Sequence, residues 1–361
     1  MAGAGDVDGD GLDDWILGAV GSDAAGEDAG EALLILGASA PTPGGPSTAD
    51  ARLQGEAEGD YAGWSVAGLG DLNGDGFDDV AIGAVRESSQ EEWSGAAYVV
   101  LGGTAWGTRS LAEADAVYHG VALRDYAGRR ITGGGDLDGD GLDDAAVTSD
   151  GDENQGTVSV VLGRATPISE DLAAADAVWT GEAPDDYAGY ALSSATDITG
   201  DGYADLAIGA PNNDEAHANA GAVYQVAGAA LLSEGPLREV PLRLHGASID
   251  DLAGGAVDTG SDVDGDGTAD LCIGASNAAV SGPEAGAVYL VWGGTGLTGG
   301  DLDNAAVRVL GEDWGDYAGT GVAGIGDFDG DGYGDLAIGA PGFQGAEAYG
   351  GATTLLLGSG D

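Results

Sequence analysis

The sequence predicts an all-β chain, a β-propeller of six visible four-stranded blades with the first and last incomplete, and three observations carry that expectation. A nine-residue acidic segment, DVDGDGLDD in its first copy, starts at Asp6, Asp71, Asp136, Asp197, Asp262 and Asp327, at intervals of 65, 65, 61, 65 and 65 residues. Short apolar runs recur at fixed offsets from every copy. The 71 glycines among 361 residues also keep fixed offsets, which reads as tight turns and close strand packing rather than as low complexity. Such a repeat is one supersecondary unit copied along the chain, so fold and chemistry are both read per repeat.

The first strand of each unit precedes the acidic segment: DYAGWSVAGLG at 60–70, DYAGRRITGGG at 125–135, DYAGYALSSAT at 186–196, DDLAGGAVDTGS at 250–261 and DYAGTGVAGIG at 316–326. The second follows it, as VAIGA at 80–84, LAIGA at 206–210, LCIGA ending at Ala275 and LAIGA at 336–340. A third apolar run ends in glycine: ALLILG at 32–37, AAYVVLG at 96–102, TVSVVLG at 157–163, AVYQVAG at 222–228, AVYLVWG at 287–293 and ATTLLLG at 352–358. The fourth is shorter, with ARLQG at 51–55, AVYHG at 116–120, AVWTG at 177–181, LRLHG at 242–246 and VRVLG at 307–311. Runs of this length, rich in Val, Ile, Tyr and Leu and bounded by Gly, Asp and Pro, are strands, because helices so short are marginal. Four strands per repeat make a propeller blade. The chain is read as one domain, 1–361, with blade units at about 1–59, 60–124, 125–185, 186–249, 250–315 and 316–361.

Composition narrows the partners. The formal charge is −53, from 63 acidic and ten basic residues, all ten of them Arg. That balance argues against nucleic-acid phosphate and anionic membrane surfaces and favours cations. Adaptation to high salt and high genomic GC content are two further accounts of a Lys-free acidic chain. No run is long and apolar enough for membrane insertion, and MAGAG at the start is not a signal peptide. Cys272 is the single cysteine and stands where another repeat has Ala in LAIGA, which predicts a buried structural thiol. At 43% apolar residues, the chain can supply cores between blades.

The acidic segment has the chemistry of a calcium loop. Calcium takes six to eight oxygen ligands, and a tight turn supplies them from side chains at positions 1, 3, 5 and 9 and a backbone carbonyl at 7. Glycines at 4 and 6 let the backbone curl until those oxygens converge. The sets are Asp6, Asp8, Asp10, Leu12 and Asp14; Asp71, Asn73, Asp75, Phe77 and Asp79; and Asp136, Asp138, Asp140, Leu142 and Asp144. They continue with Asp197, Thr199, Asp201, Tyr203 and Asp205; Asp262, Asp264, Asp266, Thr268 and Asp270; and Asp327, Asp329, Asp331, Tyr333 and Asp335. Up to six Ca2+ ions are therefore expected, with the second and fourth sites weaker because Asn73 and Thr199 replace a carboxylate. An EF-hand needs a Glu at position 12 and flanking helices. Position 12 here is Leu17, Ile82, Val147, Ile208, Ile273 or Ile338, inside a strand, so that reading is rejected.

These residues resemble the FG-GAP repeats of the integrin α-subunit β-propeller and its bacterial relatives. The resemblance rests on YAGWSVAGLGDLNGDGFDDVAIGA at 61–84 and YAGTGVAGIGDFDGDGYGDLAIGAP at 317–341, and it extends over essentially the whole chain. It implies calcium held by loops between strands 1 and 2 of each blade. Partners would then engage the opposite face, at 85–94, 149–156, 211–220, 275–285 and 341–350, with 56–60, 121–125, 182–186, 247–251 and 312–316. Trp93, His217 and Phe343 stand out there and are read as loop-packing residues. The chain departs from animal integrins, which have seven blades and calcium in only some, and no segment is long enough for an inserted adhesive domain.

The resemblance implies an extracellular or secreted cell-adhesion-type module that binds a protein or glycan ligand. The alternatives are a calcium-rigidified spacer of a larger surface protein, and a carbohydrate-active enzyme or its accessory domain. No HExxH, GxSxG or GxxxxGK[ST] motif occurs, and of three histidines His119 and His245 share one repeat position while His217 lies in a loop. A non-enzyme is expected, with a carboxylate pair of glycosidase type as the competing reading. Five residues before Asp6 and no fourth run after Gly358 lead to the expectation that a secretion signal and a closing strand lie upstream of Met1.

Overall fold

The computed structural model describes residues 1–38, 48–193, 196–344 and 350–360. Ser194 and Ala195 of the third first-strand segment, and 345–349 of the expected partner face, lie outside the described residues. The fold is all-β, six sheets of mostly antiparallel strands as in propeller blades of FG-GAP type. Contacts group it into two compact units, one built from Met1–Asp152, Thr157–Trp179 and Leu231–Glu234, the other from Glu153–Gly156, Thr180–Ala230 and Gly235–Asp361.

The first unit carries three blades. Blade one runs Ala2–Gly5, Asp14–Ala19, Glu31–Ile35 and Ala51–Gln54; blade two runs Ala62–Gly70, Asp79–Ala84, Ala96–Val100 and Ala116–His119; blade three runs Ile131–Gly135, Asp144–Ser149, Thr157–Val161 and Ala177–Thr180. The second unit carries the rest. Blade four has Ala191–Leu192, Leu206–Ala210, Ala222–Val226 and Leu242–His245; blade five has Ala253–Ser261, Asp270–Ala275, Ala287–Val291 and Val307–Leu310; blade six has Gly321–Gly326, Asp335–Ala340 and Ala352–Leu356. Each acidic segment joins the first and second strands of its blade, as expected, and all six position-12 residues sit within second strands.

Burial follows the place of each strand. Second and third strands are buried along their whole length in blade two, Asp79–Ala84 and Ala96–Val100. They are covered on both faces, which is why they read as continuous apolar runs. Fourth strands alternate, as in Ala51–Gln54 and Ala116–His119. The cores lie between neighbouring blades. In the first unit Ile16, Leu34, Leu53, Val80, Ile82 and Tyr98 pack together across blades one and two. In the second, Val223, Leu244, Leu271, Ile273 and Tyr289 do so across blades four and five. Burying each such side chain contributes roughly 1.5–3 kcal/mol. Cys272 is part of the core between blades five and six, and burial pushes its thiol up.

Glycine in the second strand is what lets blades approach. A methyl group at Gly83 would collide with the Gly128 carbonyl of the next blade, and Gly18, Gly209 and Gly274 stand in the same relation to Gly63, Gly254 and Gly319. The glycine of the DYAG segment therefore meets the glycine of the IGA segment backbone to backbone.

A fifth short strand is an addition to the four expected. Thr108–Ser110 pairs in parallel with Ala51–Gln54, Glu170–Asp171 with Ala116–His119, and Gly300–Asp301 with Leu242–His245. Each comes from the segment between the third and fourth strands of the following blade and covers an open strand edge. A single 3-10 turn follows, anchored by a buried Leu111, Leu172 or Leu302.

Candidate metal centre

The aspartate at position 1 organises each turn. In the first loop Asp6 Oδ1 accepts hydrogen bonds from the Gly9 and Asp10 N–H groups at 2.8 and 2.9 Å, and Oδ2 accepts one from Gly11 N–H at 2.9 Å. Asp8 Oδ1 then accepts from Asp10 N–H, and Asp10 Oδ1 from Leu12 N–H. Asp136 and Asp327 repeat the whole pattern in their loops. Asp71, Asp197 and Asp262 likewise bind the N–H groups of Gly74 and Gly76, Gly200 and Gly202, and Gly265 and Gly267. The position-4 glycine has φ of 77° at Gly9 and 76° at Gly74, a conformation that glycine adopts without strain. The side chain at position 7 of the next blade lies over it, Phe77 on Gly9 and Leu142 on Gly74.

Position 9 has a second task. Its Oδ2 accepts from the N–H at position 2 (Asp14 from Val7 at 2.8 Å, Asp79 from Leu72 at 3.0 Å, Asp144 from Leu137 at 2.7 Å). Its Oδ1 accepts from the glycine that ends the third strand, Gly37, Gly102 and Gly163 in those blades and Gly228, Gly293 and Gly358 in the others. The closing glycine of the third apolar run thus ties the loop to its sheet, a partnership that sequence reasoning missed although both residues recur in every repeat.

Four of the six loops bring three carboxylates together. Ligand atoms of Asp6, Asp8 and Asp10, of Asp136, Asp138 and Asp144, of Asp262, Asp264 and Asp270, and of Asp327, Asp329 and Asp335 lie within 4.8 Å of one another. The other two loops, among the described residues, form no such group, and they are the two in which a carboxylate is replaced. The Asn73 amide donates to Asp75 Oδ2 at 3.0 Å, and the Thr199 hydroxyl faces Asp197 Oδ1 at 3.5 Å. Burial pushes the carboxyls of Asp79 and Asp144 up to about 7 and that of Asp270 up to about 6, against backbone N–H groups that pull them down. A buried carboxylate in that condition takes either a proton or a cation. None of the ion pairs among the described residues involves a loop aspartate. An all-oxygen donor set, convergent and unneutralised, fits a hard divalent cation.

The turn, its tie to the third strand and the glycine contact between blades recur with one sequence pattern, and the FG-GAP repeat pattern matches residues 62–100, 188–224, 253–291 and 318–356. The chain carries four FG-GAP repeats. Each FG-GAP match runs from the first strand through the loop to the third strand or close to its end; the loops at 6–14 and 136–144 lie outside the matched spans yet fold into the same turn.

The chain is similar to integrin alpha-PS2 of Drosophila melanogaster, 31% identical over 180 residues, which covers 45% of this chain and 12% of that protein. It is similar to integrin alpha-V of Gallus gallus, 29% over 220 residues (59% and 20%), and to integrin alpha-IIb of Homo sapiens, 34% over 166 residues (44% and 16%). These alignments span 12 to 20% of the relatives' length. No described helix is long and apolar enough to cross a membrane.

The residues singled out on the expected partner face separate in the structure. His217 is exposed and Phe343 half-buried. Trp93 packs in its loop, stacked on Tyr126 with ring centroids 6.2 Å apart, and two arginines join it there. His119 and His245 face carboxylates of Glu87 and Glu215 at 3.6 and 3.7 Å, contacts made within their own blades.

Proposed function

We propose that this chain is an extracellular binding module of adhesion type, a single FG-GAP propeller that calcium makes rigid and that engages a protein or glycan through loops opposite the calcium turns. The observation that carries this reading is the group of three carboxylates in loops one, three, five and six. All six loops would hold Ca2+ through the position-1, 3, 5 and 9 side chains and the position-7 carbonyl. Bound calcium supplies positive charge that offsets the carboxylate repulsion and cross-links the two strands flanking each loop.

The chain's own residues prepare for that. Position-1 aspartates fold the turn by accepting backbone N–H bonds, and position-9 aspartates fix it to the sheet, so the free lone pairs converge with little further ordering. The relatives named integrin, the family motif and the acidic charge support a cell-surface setting. Calorimetric titration with CaCl2 tests the metal reading; binding of four to six ions supports it, and heat no different from dilution overturns it. A glycan and protein array probed with and without calcium tests the module reading; a ligand retained only with calcium is the expected result.

A further inference from the structure

One blade junction departs from the repeat at three positions together. In blades one to five the residue two before the glycine that precedes the third strand is left-handed: Asp28, Trp93, Asn154, Asn219 and Glu284 have φ of 52°, 57°, 58°, 49° and 56°. Four of these are polar and bond the segment that follows the fourth strand, Asp28 and Glu284 to the Tyr61 and Tyr317 hydroxyls, Asn154 and Asn219 to the Asp185 and Asp250 carboxylates. Trp93 is the exception. A bulky side chain in that region of backbone space is strained. Position 124 is Arg where the same backbone contact elsewhere uses Gly59, Asp185, Asp250 or Gly315. Position 86 is Arg where its counterparts are Asn277 and Gly342.

The three substitutions meet. The Arg86 guanidinium lies 4.4 Å from the Tyr61 ring centroid and 5.1 Å from that of Trp93, and Arg124 lies 4.9 Å from Trp93. Stacking fixes guanidinium planes and leaves their N–H edges to other acceptors. Arg52, Arg109, Arg129, Arg164, Arg243 and Arg308 all pair with carboxylates. Arg86 and Arg124 make no ion pair among the described residues, in a chain of charge −53, and both are exposed. Arg86, Trp93 and Tyr61 line a cleft of about 550 Å3 with Glu87, Ser88 and Ser89, and Arg124 borders it through the Trp93 ring. Glu87 is 6% exposed, and its Oε2 lies 3.6 Å from His119 Nδ1.

We propose that this stack is a glycan-binding site for a sugar unit bearing one carboxylate, of uronic-acid type. Arg86 donates to the carboxylate, Arg124 on the Trp93 ring adds positive charge, and Ser88 and Ser89 line the rim. An acidic peptide would bring further charges against Glu56, Glu58 and Asp60 in the same cleft wall. A sugar brings a single charge with neutral hydroxyls. The inference rests on the binding-module reading and names its ligand chemistry.

The test uses the calcium-loaded chain, with calcium binding measured separately by calorimetry. Methyl glucuronide, methyl glucoside and an end-capped glutamate dipeptide are titrated. The glucuronide is expected to bind at least about tenfold more tightly than either of the others, the size of a charge-assisted bidentate contact, and Arg86→Gln or Arg124→Gln to remove that margin. Trp93→Asn restores the repeat residue and is expected to raise the melting temperature while abolishing glucuronide binding, an outcome that a packing role for Trp93 would not give. Absence of glucuronide binding, equal affinity for the glucoside or dipeptide, or a Trp93→Asn chain that melts lower and binds normally overturns the proposal. If calcium still binds in those cases the module's metal chemistry stands; loss of calcium binding is the separate failure of that reading.

Discussion

The Asp78 carboxylate, at position 8 of the second loop, accepts a hydrogen bond from the Asp6 backbone N–H at 2.7 Å, while Asp78 N–H returns one to the Asp6 carbonyl at 3.2 Å. The same exchange links Asp143 to Asp71, at 2.9 and 3.2 Å. Position 8 thus reaches back to the residue that organises the preceding blade's turn. In the second unit position 8 is Ala204, Ala269 and Gly334, and only the backbone half survives where Gly334 N–H meets the Asp262 carbonyl at 2.7 Å.

Removing that tie should be measurable. Asp78→Ala is expected to lower stability by about 1 kcal/mol, the net worth of one such hydrogen bond. Asp13→Ala, the exposed first-loop counterpart, should stay within about 0.5 kcal/mol. Denaturant unfolding in saturating calcium checks both, and equal losses would remove the inter-loop explanation.

Gly83→Ala should be far more damaging than its size suggests. The obstacle is the Gly128 backbone carbonyl rather than a flexible side chain, so blade two would have to move from blade three at a cost of about 3 kcal/mol. Gly76→Ala is a useful contrast. Its φ of 90° strains an alanine, but nothing lies near the added methyl. The comparison of the two melts separates packing from backbone conformation.

Asp186 gives a signed dependence on pH. Burial pushes its carboxyl up to about 6, although Asn213 and the Ala183 N–H bond it. A carboxyl raised above the usual 3.8 is protonated more readily in the folded chain than in the unfolded one. Its favourable contribution is therefore complete below that value and is lost as pH rises through about 6. Asp186→Asn keeps an acceptor oxygen and cannot ionise. Relative to the unaltered chain its melting temperature should climb between about pH 4 and pH 6 and then level off; a difference independent of pH would show that burial does not perturb the group.

Loops two and four can be brought up to the others. Asn73→Asp and Thr199→Asp each restore the missing carboxylate, and each should tighten the corresponding calcium site by roughly tenfold, as ligand charge count tunes such loops. Calorimetry with the unaltered chain as reference reads the change. No change in either variant would argue that position 3 does not reach the ion.

Much of this was legible in the sequence because the repeat averages over local ambiguity. A single AVYHG run is short enough to be strand or loop; five copies at one offset are strands, and the structure places all five where the pattern does. The additional strand Thr108–Ser110 escaped because two or three residues of mixed polarity carry no period. Its signal was the recurring leucine, Leu111, Leu172, Leu237 and Leu302, which is buried in each copy. At position 9 the residue type gave a ligand, but only geometry shows that Asp79 also holds Leu72 and Gly102. Trp93 was visible as an odd residue and read as packing. Its left-handed backbone and its two stacked arginines are three-dimensional facts, since residues 86 and 93 meet residue 124 only once the chain is folded.

Thermal unfolding in saturating calcium and in excess EGTA tests the central claim most directly. At about tenfold saturation each site adds roughly 1.4 kcal/mol by mass action, and six sites about 8 kcal/mol, comparable with the stability of a whole domain. The account predicts a melting temperature lower by roughly ten degrees or more in EGTA. An identical melt in the two buffers would contradict it.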